Sequence, residues 1–133
     1  MNTKNLIENY YKAFNEKKID KMIDLLAEDV IHDTNQGERT RTKNDFISFM
    51  SDMDIYYEEE LKNFSILVST DEKRASAEFT CYGTYKKSAP GLPPARGQKY
   101  ILLVGCFFEV INGKIARITN YYNLQDWLKQ VNS

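Results

Sequence analysis

The sequence predicts an α+β fold in which helices come first and a sheet follows. Two observations carry this. Apolar residues recur at helical spacing through most of residues 4–57, and from residue 61 onward they alternate with period two. Turn chemistry at Asp71-Glu72 and Asn112-Gly113 then joins successive extended runs. Helices and strands segregated in this way give an antiparallel sheet covered by helices, not a parallel α/β fold.

Taken in order, Thr3 is placed to cap a helix over 4–17, with Leu6, Ile7, Tyr10, Ala13 and Phe14 on one face and Lys17-Lys18 at its C-terminal end. A short helix over 19–27 repeats the pattern with Ile19, Met22, Ile23 and Leu26. A brief strand over 29–33 stops at Thr34-Asn35-Gln36-Gly37, a turn sequence. A third helix fits 43–57, after which Glu58-Glu59-Glu60 reads as a solvated loop. Strands fit 61–69, 74–86, 98–111 and 114–122, and a last helix spans 123–131 with Leu124, Trp127, Leu128 and Val131.

Length and charge bound the function. The 133 residues suit one domain, 1–133. Net charge is -1 with no basic tract, which argues against nucleic acid as a partner. Met1 to Leu6 lack a basic-then-apolar pattern, so no signal peptide is expected, and the longest apolar stretch, Tyr100 to Phe108, is far short of a membrane span. Cys81 and Cys106 lack metal-ligand spacing, so two buried free thiols in a reducing cytoplasm are expected. A single histidine, His32, rules out a multi-histidine metal site, and no motif asks for a cofactor. Nine Tyr, seven Phe and one Trp suit an apolar pocket with a few polar tips. Strand 98–111 is apolar on both faces, since Ile101, Leu103, Phe107 and Ile111 alternate with Tyr100, Leu102, Cys106 and Phe108. The helices can cover one face; a homodimer packed through the other is expected.

The order of several short motifs resembles a known superfamily. They are Ile7-Glu8-Asn9-Tyr10-Tyr11-Lys12-Ala13-Phe14-Asn15, the segment from Ile19 to Ile31-His32-Asp33, Gly83-Thr84-Tyr85, Gly91-Leu92-Pro93-Pro94-Ala95-Arg96-Gly97, Phe108, Gly113-Lys114-Ile115 and Tyr121-Tyr122-Asn123. Together they look like the superfamily of nuclear transport factor two, ketosteroid isomerase and the SnoaL polyketide cyclases. The resemblance implies a cone-shaped, curved antiparallel sheet packed on N-terminal helices, a cystatin-like α+β barrel enclosing a pocket. It also implies an isomerase- or lyase-like enzyme that moves a proton on a small apolar carbonyl compound, in the manner of a ketosteroid isomerase or a SnoaL-like cyclase.

Position by position, the isomerase-like base falls on Asp33 and the phenolic oxyanion donor on Tyr10, while the second donor falls on Cys106, and a thiol donates poorly. The cyclase-like carboxylate falls on Asn120 and its partner histidine on Cys106, so that pair is absent. His32 and Asp33 alternate across a strand, so only one faces the pocket; Asp33 is expected there, with His32 at the surface or an interface. Phe14, Phe49, Phe108 and Ile118 are expected to bind the substrate, with Cys106, Asn120 and Tyr122 beside them. Arg39, Arg41 and Arg96 read as solvated loop charges. The competing functions are a non-catalytic binder of an apolar metabolite and a dimeric protein-interaction scaffold.

Overall fold

Asn2, not Thr3, opens the first helix. The computed structural model describes residues 2–34 and 36–133, and in it α1 spans Thr3–Asn15 with Asn2 Oδ1 accepting the Asn5 N–H at 2.8 Å. Thr3 Oγ1 instead donates to the Glu72 carbonyl at 2.7 Å, which ties the start of the helix to the Asp71-Glu72 turn. Leu6, Ile7, Tyr10 and Ala13 are buried as the helical period requires.

The second helix, α2, covers only Ile19–Ile23, and the chain is already extended in β1, Leu26–Thr34. Pairing across the fold overrides the helical spacing here: Leu26 lies opposite Ile115, whose N–H donates to the Leu25 carbonyl at 2.9 Å. Of the turn expected after this strand, Asn35 lies outside the described residues, and the Gly37 N–H closes onto the Thr34 carbonyl at 3.1 Å. A three-residue strand, β2 (Arg39–Arg41), follows; it is too short to show a period in sequence. Helix α3 runs Lys43–Tyr56, its start capped by Thr42 Oγ1 accepting the Asp45 N–H.

Strand β3 spans Tyr57–Val68, which corrects the reading of Glu58-Glu59-Glu60 as a loop. Strands β4 (Arg74–Tyr85), β5 (Lys99–Ile111) and β6 (Lys114–Tyr122) follow, and α4 (Leu124–Val131) begins at an Asn123 cap. The β5–β6 hairpin turns through Asn112 at φ 52° and Gly113 at φ 74°, two left-handed residues as a tight twisted hairpin needs.

The six strands form one sheet in the order β2-β1-β6-β5-β4-β3. Neighbours are antiparallel except β1 and β6, which are parallel, so the sheet is not wholly antiparallel as expected. The sheet curves without closing, and the N-terminal helices pack against its inner face. Pairing slips between Lys62 and Ser65, where Asn63 takes φ 61°, and again between Glu109 and Val110; such breaks bend a strand.

Side chains divide cleanly between the two faces. Along β5, Tyr100, Leu102, Cys106 and Phe108 are buried, whereas Ile101, Leu103, Phe107 and Ile111 are 55%, 65%, 43% and 60% exposed. The two cysteines are free and buried, with Cys81 opposite Leu102 and Cys106 opposite Ala77. No described helix is long and apolar enough to cross a membrane.

Candidate functional site

Between the inner sheet face and the helices lies a cavity of about 790 Å³, in the range of small-molecule sites. Tyr10 and Phe14 of α1, Phe46 and Phe49 of α3, Leu102 and Val104 of β5 and Trp127 of α4 supply apolar wall. Its polar groups include His32, Glu59, Tyr57, Tyr100, Asn120 and Tyr122.

His32, not Asp33, faces this cavity. The register explains why. His32 stands opposite Ile118, which stands opposite Phe108, a row of side chains on the inner face. Asp33 belongs to the next row, with Arg39, Thr119 and Phe107, on the outer face. There its carboxylate accepts from Arg39 Nε and Nη2 at 2.6 and 2.9 Å and from Thr119 Oγ1 at 2.9 Å. The Arg39 hydrogen bonds hold the Asp33 carboxyl below its ordinary value, against the upward push of partial burial. A pocket base needs the opposite shift. The expectation that Asp33 is the base is therefore corrected by its position and its partners.

His32 is 3% exposed, edge-on to Phe46 and Phe49 at 5.1 and 4.6 Å, with Nε2 3.3 Å from the Asn120 amide nitrogen. Burial lowers its pKa from the ordinary 6.5, and neighbouring Asp33 offsets this only in part. The imidazole is thus kept neutral near pH 7. The unfolded chain takes up this proton more readily, so stability falls as pH drops below the unfolded value of 6.5. Urea denaturation at pH 7 and pH 5 should show this loss, and His32→Gln should reduce it.

Five other expected site residues, Tyr10, Phe14, Phe49, Asn120 and Tyr122, line the cavity. Cys106, Phe108 and Ile118 do not. They are 1% exposed or less and pack beneath the wall, where Phe108 meets Tyr10 edge-on at 5.8 Å. Burial pushes the Cys106 thiol up to about 12 and raises Tyr10 as well, so both stay protonated. Tyr10 is a candidate donor to an oxyanion; Cys106 is core. Among the described residues no group of three or more His, Cys, Asp or Glu could hold a metal.

A second polar centre escaped the sequence reading. Tyr100, Gly83 and Glu59 stand side by side on β5, β4 and β3. Because Gly83 has no side chain, the Tyr100 ring lies across it; an added Cβ would come within 2.2 Å of the ring. The ring thereby spans β4, and its hydroxyl donates to Glu59 Oε2 at 2.6 Å. The signal was present in the period: Tyr57, Glu59 and buried Leu61 share a face once the strand is extended backwards.

Comparison with known proteins places this geometry. The family model for the SnoaL-like polyketide cyclases matches residues 4–131. The chain belongs to the SnoaL-like polyketide cyclase family. Similar to this SnoaL-like domain is a proposed polyketide cyclase from Pseudomonas putida, 48% identical over 98% of each chain with a TM-score of 0.97. Another, from Xanthomonas campestris, is 43% identical over 97% of this chain and 96% of its own, with a TM-score of 0.94. A nuclear transport factor two-like protein of unknown function from Burkholderia pseudomallei shares 15% identity over 100% and 99% of the two chains, with a TM-score of 0.84, and shows the fold alone. No curated protein matches. Within the family frame, the SnoaL-like domain here carries an amide, Asn120, against its cavity histidine.

Proposed function

We propose that this protein binds a small, largely apolar carbonyl compound in the cavity and moves a proton on it, with His32 as base and the Tyr10 hydroxyl as donor to the carbonyl oxygen. The carrying observation is a buried, neutral imidazole aimed into an apolar cavity against an amide. The amide supports either tautomer. When Asn120 donates to Nε2 the proton sits on Nδ1; with the amide turned over, its oxygen accepts Nε2–H and Nδ1 becomes the acceptor. The second state is competent to take a proton, and the amide oxygen then steadies the imidazolium.

Solvent deuterium entering the α-carbon of 2-tetralone, followed by NMR, tests the reading. Exchange above the buffer rate is expected, rising with pH as His32 deprotonates below 6.5 and then levelling. Binding without exchange would support the second reading, a non-catalytic binder. Cys106 favours that reading, since it leaves Tyr10 without the second strong donor of the isomerase-like pattern.

The same reading includes a homodimer through the outer sheet face and a reducing, cytoplasmic setting. The two free thiols support the setting. Ile101, Leu103, Phe107 and Tyr121, all exposed on adjoining strands, support the dimer. Light scattering at micromolar concentration should give twice the 15.5 kDa chain mass, and Leu103→Lys should shift it toward one chain. A native protein that stays monomeric under these conditions would contradict the dimer.

A further inference from the structure

We infer that the Glu59 end of the cavity recognises a protonated amine or quaternary ammonium group, so that the ligand is an amine-bearing carbonyl compound. The inference rests on the proposed reading of the cavity as a small-molecule site, and names the ligand's other end.

Glu59 lines the cavity, half-buried, on the inner face of β3. One carboxylate oxygen accepts the Tyr100 hydroxyl at 2.6 Å, which fixes the group in place. No ion pair to Glu59 occurs among the described residues, whose pairs all lie elsewhere. The nearby cation, Lys17, donates to the Glu59 backbone carbonyl at 3.1 Å and sits over the Phe14 ring. Lys86, the other lysine at the cavity, donates to the Asp54 carbonyl at 2.6 Å. Against these two stand Asp54, Glu58 and Glu59, so the lining is biased toward negative charge.

The neighbouring walls suit an organic cation. Tyr57, Tyr100 and Trp127 meet at 6.0 to 6.5 Å between ring centres, with each pair close to perpendicular, and all three line the cavity. Rings set at right angles form a corner that offers π-faces in more than one direction. Such faces attract an ammonium group, and attract it more when water is excluded. A carboxylate in an apolar site calls for a counter-charge, and among the described residues none forms an ion pair with the Glu59 carboxylate.

Trp127 is the chain's one tryptophan, so its fluorescence reports occupancy directly. Benzyltrimethylammonium and its uncharged isostere neopentylbenzene should both quench it, the cation with about tenfold higher affinity. Glu59→Gln keeps an acceptor for Tyr100. It should lower the preference for the cation to the part the rings supply by themselves, while leaving neopentylbenzene binding unchanged. Equal affinities in the native protein, or a preference that Glu59→Gln leaves undiminished, would overturn the inference and leave the cavity reading standing. If neither probe binds, both fail.

Discussion

His32→Asn is expected to slow α-proton exchange on bound 2-tetralone by about 10²–10⁴-fold, the usual contribution of a positioned base, with binding changed by no more than a small factor. The asparagine keeps a polar group against Asn120 but has no lone pair basic enough to take a carbon-bound proton. Asp33→Asn is the informative control. Its carboxylate lies on the outer face, held by Arg39 and Thr119, so exchange should be untouched. Stability should change instead. The folded carboxyl is held below its ordinary 3.8, so its contribution is present above about that pH and is lost as pH falls through the lower folded value. The variant should therefore be weaker than the native protein at pH 7 and converge with it in acid. If Asp33→Asn abolishes exchange and His32→Asn does not, the assignment of the base is reversed.

Gly83→Ala should destabilise the fold by about 2–3 kcal/mol, the scale of an overpacked core. A glycine within a strand is ordinarily improved by alanine, by about 0.5–1 kcal/mol, so the sign of the effect is itself diagnostic. Here the new methyl would lie 2.2 Å from two Tyr100 ring atoms and 2.5 Å from its hydroxyl. Tyr100 is 2% exposed and packs edge-to-face on Trp127, so its ring has little room to retreat. Displacing it would also break the hydrogen bond to Glu59. Urea denaturation with an unchanged m-value reads the loss. A neutral or stabilising result would mean that Tyr100 does not lie across Gly83.

The contrast between these residues shows what the sequence made legible. Order and type of most elements followed from periodicity: β4 alternates along its whole length, whereas β5 is apolar on both faces in sequence and alternates mainly in burial. Asn120 and Tyr122 were placed at the cavity by the same alternation. His32 and Asp33 were not, because Ile31 is as apolar as Val30, so the strand's own pattern favours neither face. Only the parallel register with β6 decides it, and that pairing joins residues 86 positions apart in the case of Asp33 and Thr119. Glu59 was hidden differently. A run of three glutamates reads as solvated, yet its central member faces inward, where Tyr100, two strands away, reaches it across Gly83 of the strand between. Cys106, Phe108 and Ile118 were given the right face but the wrong depth. Alternation identifies the inner face, whereas Tyr10 and Tyr11, packed over Phe108, decide which of its residues reach the cavity.

On this proposal a neutral histidine faces the ligand, and His32 is the one histidine in the chain. Its imidazole signals are therefore assigned without ambiguity in a protein labelled only at histidine. NMR titration should give a pKa below 6.5, and adding 2-tetralone at pH 7 should shift the ring signals, with the shift saturating as the cavity fills. A pKa at or above 6.5, together with ring signals that ignore a ligand shown by Trp127 fluorescence to be bound, would rule out His32 as the base.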